Sequence, residues 1–183
     1  MLRISAVAVC MAALVPMGAH AVGEEYGKGD LALIQALRRS KLTLGDGIGR
    51  ATRQGVPIAA RFELDERQRL LLSVVVAANA LESEVENNAF RELSGPPADA
   101  WPSRARTLQD PPRVARAAQQ ALLMAMSPLT LAQIVKRAVE RGPVMVAAPD
   151  LRQRRPVFVV IVVANGKPLE LTYDLATGQL QGS

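Results

Sequence analysis

Apolar residues along this chain fall into three patterns. Residues 4–18 are almost uninterrupted apolar or small side chains behind the short positive start Met1-Leu2-Arg3. Residues 31–39 and 113–126 space their apolar positions at helical intervals, the first after Asp30 as a cap, the second after Asp110-Pro111-Pro112, where proline suits a first helical turn. Two shorter amphipathic segments open with the S-x-L-T-L starts at 40–44 (followed by Ile48 and Ala51) and 127–131 (followed by Ile134, Val135 and Ala138), and Gly55 and Gly142 stop them. In the first of these Gly45, Gly47 and Gly49 each cost roughly 1 kcal/mol relative to Ala, so its helix depends on packing.

The third pattern is short runs rich in Val, Ile, Leu and Phe at 56–64, 70–77, 144–148, 156–164 and 169–173, which predict strands. Polar breaks separate them at Asp65-Glu66-Arg67-Gln68 and at Asn165-Gly166-Lys167, the Asn-Gly pair being a hairpin signal. Residues 157–163 are uniformly apolar, but a run this short spans little of a bilayer, and its β-branched content predicts a strand buried on both faces.

These patterns recur. With an offset of 87, Ser40-Lys41-Leu42-Thr43-Leu44 lies over Ser127-Pro128-Leu129-Thr130-Leu131, and Arg50, Ala51 and Gly55 lie over Arg137, Ala138 and Gly142: seven identities in sixteen positions. Treating Pro143 as one inserted residue puts Val56, Ala59 and Ala60 over Val144, Ala147 and Ala148. Further on, Ala78-Asn79 falls over Ala164-Asn165, and Glu86, Leu93 and Gly95 over Asp174, Leu180 and Gly182. The expected organisation is an N-terminal segment 1–21, a helix within 22–39, a first unit at 40–95, a proline-rich linker and helix at 96–126, and a second unit at 127–183. The fold class is α+β: two similar units, each a helix packed on a small antiparallel β-meander, with the linker extended over the surface and Trp101 anchoring it at the junction of the units.

The N-terminus changes what chemistry remains. A positive start, an apolar run and the small-x-small triplet Ala19-His20-Ala21 read as a cleaved signal peptide, so the mature chain begins near Val22 and is periplasmic or secreted, with no membrane segment left after cleavage. Val9 before Cys10 does not suit a lipoprotein cysteine. Cleavage removes Cys10 and His20, the single residues of their kinds. Triads, Cys-His dyads, zinc fingers and haem ligation by His then lack their residues. The expectation is no catalytic residue, no metal site and no cofactor.

Charge is uneven within the total of +5. Residues 22–100 carry ten basic and twelve acidic side chains, residues 101–183 eleven and five, so the excess lies in the second half. Arg104, Arg106, Arg113 and Arg116 border the linker helix, and Arg152, Arg154 and Arg155 crowd the turn before the buried strand, a partner-binding candidate for an acidic surface. Few and scattered aromatics argue against nucleic acid. Glu82, Glu84, Glu86, Asn87, Asn88 and Glu92 form an acidic stretch without the spacing of a calcium loop, which reads as a solvated strand face or loop. Glu63 and Asp65 would share one side of a strand end, a pairing that nothing else in the sequence makes catalytic.

The ending Leu169-Glu170-Leu171-Thr172-Tyr173-Asp174-Leu175-Ala176-Thr177-Gly178-Gln179-Leu180, behind the S-x-L-T-L helix start, resembles the PepSY domain family over about residues 127–181. The first copy carries the pattern in degenerate form, with no Thr-Gly near Glu86. The resemblance implies a helix on a small antiparallel sheet and a role in binding, such as the restraint of secreted peptidases, and it brings no catalytic residues. Asp174, Thr177 and Gly178 read as a turn motif, the acid and hydroxyl bonding backbone amides and the glycine taking positive φ. The expected protein is an exported binding or regulatory module of the envelope with a protein partner, a peptidase among the candidates. The alternative is a carrier of a small ligand or anionic polymer in the groove between the copies.

Overall fold

The computed structural model describes residues 30–79, 81 and 88–182. The expected signal peptide with Cys10 and His20 lies outside them, as do Glu82, Glu84, Glu86 and Asn87 of the acidic stretch and the side chain of Asp30. Helix α1 is Asp30–Leu37, α2 Leu44–Ala51, α3 Pro111–Met126 and α4 Leu131–Ala138. Strands are β1 Val56–Leu64, β2 Leu70–Ala77, β3 Phe90–Gly95, β4 Arg104–Thr107, β5 Val144–Arg152, β6 Arg155–Ala164, β7 Lys167–Asp174 and β8 Leu180–Gly182. Four helices and one eight-stranded antiparallel sheet make the described chain α+β.

Local chemistry accounts for the helix ends. Thr43 and Thr130 each close a capping box: the threonine hydroxyl accepts from the amide of Asp46 or Gln133, whose side chain accepts from the threonine amide in return. Such caps stabilise a helix start by about 1 kcal/mol. Asp110 caps α3 by accepting from the Arg113 amide, with proline in the first turn. The glycines of α2 have a use as well: a Cβ on Gly47 would strike the Leu72 side chain at 2.6 Å, so the missing atom lets α2 lie close on β2.

The sheet order is β4-β3-β2-β1-β5-β6-β7-β8, and the two meanders merge into one sheet through the β1–β5 pairing rather than standing as separate small sheets. At that seam Ala60 lies opposite Ala147, the residue 87 positions on. Register is interrupted at Ile58 in β1 and at Met145 in β5, again 87 apart. Gly55 (φ +147) and Gly142 (φ +144) each leave no room for a Cβ against the carbonyl of Ala77 or Val163. These matching features are 87 apart, an offset that puts Pro143 opposite Val56 where the expected alignment treats it as inserted.

The later alignment also changes. Glu92 pairs with Val75 in β3 while Glu170 pairs with Ile161 in β7, and Leu93 and Leu171 beside them are both fully buried. Under the expected repeat, β3 with Leu93 and Gly95 would then match β7 rather than β8 with Leu180 and Gly182. β2 ends at Ala77 and β3 starts at Phe90, whereas the Asn165-Gly166 turn alone joins β6 to β7, so a single offset does not carry through both stretches. Residues 96–126 contain edge strand β4 as well as α3, so this stretch continues the sheet. Trp101 is buried and its Nε1 donates to the Leu72 carbonyl at 2.8 Å, anchoring the segment on β2 rather than at the junction of the halves.

Alternation sends Ala60 and Phe62 of β1, with Leu72 and Val74 of β2, to one face. Helices α2 and α4 touch each other and cover that face, burying Leu44, Ile48, Leu131 and Ile134 against Phe62, Phe158 and Leu171. Full burial of one such side chain contributes about 1.5–3 kcal/mol, so this layer is the main source of cohesion. The opposite face carries Ala59, Arg61 and Glu63 of β1 and Ser73 of β2, and α3 lies across it against β1, β2, β3 and β5. Helix α1 contacts β1, β2 and β7.

Candidate functional site

The α3 face of the sheet concentrates the polar chemistry. Glu92 is 4% exposed. Its carboxylate accepts from Arg113 Nη2 of α3 at 2.6 Å and from Arg106 Nη2 of β4 at 3.1 Å, with Arg61 Nη2 of β1 at 3.9 Å. Arg61 also donates Nε to Glu63 at 2.9 Å, and Ser73 Oγ donates to the same carboxylate at 2.7 Å. A buried carboxylate is tolerated only when paired and hydrogen-bonded. Here the arginines that pair it stay partly in solvent, so the network ties β1, β3, β4 and α3 together while leaving cationic edges outside.

Beside the network, α3 and the β2-β1-β5 part of the sheet enclose an open cavity of about 370 Å³. Its floor is small and apolar, with Ala59, Val75, Val146 and Ala148. Arg61, Arg113 and Arg116 also line it, with Gln120 further along α3. It lies across the β1–β5 seam, where the two halves of the sheet meet.

One border of the sheet is β4, all four residues of which are exposed. Arg106 reaches Glu92 on the α3 face, so alternation places Arg104 on that face too, with Ala105 and Thr107 on the other. The neighbouring residue of β3 on the far side, Arg91, is exposed as well.

The arginines singled out near the β5–β6 turn separate. Arg152 donates Nη2 to Glu170 at 3.2 and 3.3 Å and lies 3.6 Å from Asp150, which makes it part of the sheet's own pairing. Arg154 and Arg155 are exposed at the hairpin tip, where Gln153 (φ +50) and Arg154 (φ +66) take the left-handed conformation of a two-residue turn. Asp174, Thr177 and Gly178 form a tight turn. Asp174 Oδ1 accepts from the amides of Ala176 and Thr177 and from the Thr177 hydroxyl, and Gly178 (φ +64) donates its amide to the Asp174 carbonyl. The Thr177 amide and then its hydroxyl hold the Asp174 carboxyl below its ordinary value.

Glu63 and Asp65 do not act together. Glu63 is engaged by Arg61 and Ser73, while Asp65 accepts from the amides of Arg67 and Arg69 and from Arg69 Nε, closing the β1–β2 turn. Glu92, read from sequence as part of a solvated acidic stretch, is the most deeply buried acid described. Phe90, two positions earlier and so on the same face of a strand, was the available signal. Among the described residues no helix is long and apolar enough by itself to cross a membrane.

No family model matches the chain, and no curated protein does. Among solved structures the chain is similar to the crystal structure of a "putative lipoprotein" from Clostridium difficile 630. That likeness has a TM-score of 0.42 and 13% identity and covers 78% of this chain and 92% of that one. It is too distant to assign a function.

Proposed function

We propose that this chain is an exported, non-catalytic binding protein of the cell envelope, periplasmic or secreted, built from two related PepSY-like units, and that it recognises an extended acidic polypeptide along β4. Export rests on the arrangement of residues 1–21. The two-unit reading draws on the matched threonine caps, the Gly55 and Gly142 positions and the Ala60–Ala147 seam. A binding role is supported by the absence of His and Cys after residue 20 and by the engagement of Glu63, Asp65, Glu92, Glu170 and Asp174 in structural pairs.

The observation that carries the partner reading is the exposed β4 edge with Arg104 and Arg106 two residues apart. An open edge offers backbone donors and acceptors to an added strand, and arginines at alternate positions meet carboxylates at alternate positions of that strand. Restraint of an envelope peptidase through one of its loops is the form that the PepSY resemblance suggests. A photo-cross-linking residue at Ala105 tests this in the native envelope. Capture of one protein from Ala105 but not from a probe at Lys167, exposed but on inner strand β7, supports it, and equal or absent capture at both overturns it.

A second reading, carriage of a small ligand between the halves, is favoured by the cavity across the β1–β5 seam.

A further inference from the structure

Gln120 is 8% exposed and lines the cavity, yet its side-chain amide has no hydrogen-bond partner among the described residues. Neither amide atom is sealed away inside protein, so the group opens into the cavity. The amide therefore offers the cavity a donor and an acceptor that no described residue uses. Beside it, Arg113 uses one terminal nitrogen on Glu92, and Arg116 is exposed, with no ion pair or hydrogen bond among the described residues. Donors of a guanidinium match a carboxylate in a planar, two-point fashion. Opposite these groups the floor of Ala59, Val75, Val146 and Ala148 offers an apolar surface with room above it.

We infer that this cavity is a binding site for a small amphiphilic carboxylate. The carboxylate lies against Arg116 and Arg113, the compact apolar body covers the alanine and valine floor, and the Gln120 amide bonds a polar atom within. The cavity volume, about 370 Å³, falls at the small end of the range for small-molecule sites. This inference rests on the small-ligand reading above and narrows it to a chemical class. Because β1 and β5 both contribute to the floor, the ligand bridges the two halves of the sheet.

The test is amide chemical-shift titration of the mature chain with sodium hexanoate and sodium benzoate, with hexanamide and inorganic phosphate as comparisons. Saturable shifts at Ala59, Val75, Val146 and Gln120 with the carboxylates, weakened about tenfold by Arg116→Gln, are the expected result. Arg116 bonds no described residue, so that variant keeps the fold. If hexanamide binds as tightly as hexanoate, or phosphate does so without an apolar body, the carboxylate class is overturned while the small-ligand reading stands. If none of the four probes moves these amides at millimolar concentration, both fall.

Discussion

Arg50 and Arg137, 87 residues apart, hold matching pieces of backbone: Arg50 Nη1 donates to the Asp99 carbonyl at 2.8 Å, and Arg137 Nη1 to the Gly178 carbonyl at 2.6 Å. Asp99 lies between β3 and β4, and Gly178 between β7 and β8, so each arginine steadies the connection into an outer strand. Arg50→Ala and Arg137→Ala are therefore expected to cost similar amounts. A hydrogen bond from a charged donor is worth about 1.5–3 kcal/mol when buried, and these partly exposed ones about 1 kcal/mol. Denaturant midpoints give the loss, and hydrogen exchange should show β4 loosening in the first variant and β8 in the second.

Gly178→Ala should be costlier than Arg137→Ala. The position has φ +64, and a Cβ there would run into Arg137 Nη1 and the Leu129 side chain. Left-handed backbone costs an L-residue about 1–2 kcal/mol, to which the displaced arginine adds. Thermal unfolding of the two variants and the double variant checks this. The double variant should regain part of the loss, because removing Arg137 vacates the space that the methyl needs.

Glu92→Gln keeps the shape of the side chain and removes the charge that Arg61, Arg106 and Arg113 surround. Breaking a fully buried pair costs about 3–5 kcal/mol, but the arginines here are 38%, 66% and 39% exposed, so a loss of about 1–2 kcal/mol is expected. A double-mutant cycle with Arg113→Gln should return a coupling of at least about 0.5 kcal/mol. Additive losses would mean that the contact contributes no stability.

Three acids give the chain an acid limit. Thr43 bonds Asp46 through its hydroxyl and then its amide. Arg69 bonds Asp65 through its amide and then its side chain, and Thr177 bonds Asp174 likewise. Each carboxyl is held below its ordinary value of 3.8, so each contributes stability that is complete above that value and is lost as pH falls through the folded-state value beneath it. Urea midpoints should be insensitive to these groups near neutrality and drop below about pH 4, with a shallower drop in Asp46→Asn and Asp174→Asn. The asparagine variants will themselves be less stable at neutral pH, since the charged acceptor is gone.

Much of the fold was legible because local signals agreed with burial. The extents of β1 and β2, the caps before α3, and the Asn165-Gly166 turn all follow from patterns that tertiary packing then uses. Three strands were not legible. β4 lies in a proline-rich stretch and is exposed throughout, β8 is three exposed residues, and β3 follows a long connection that hides its alternation. The site was less legible still. Glu92 and Arg113 are 21 residues apart and meet only because α3 crosses the sheet; nothing local marks Gln120 as a cavity residue. Arg152, by contrast, looked available in sequence because Glu170 reaches it only through the β6–β7 register.

Recognition along β4 is tested most directly by hydrogen exchange of the chain from Val22 onward with a soluble peptide alternating glutamate and valine. Slower exchange of the outward amides of Arg104–Thr107 is expected, abolished by Arg104→Glu and not produced by a lysine-valine peptide. Unchanged β4 exchange, or equal slowing by the lysine peptide, would contradict edge recognition of an acidic strand.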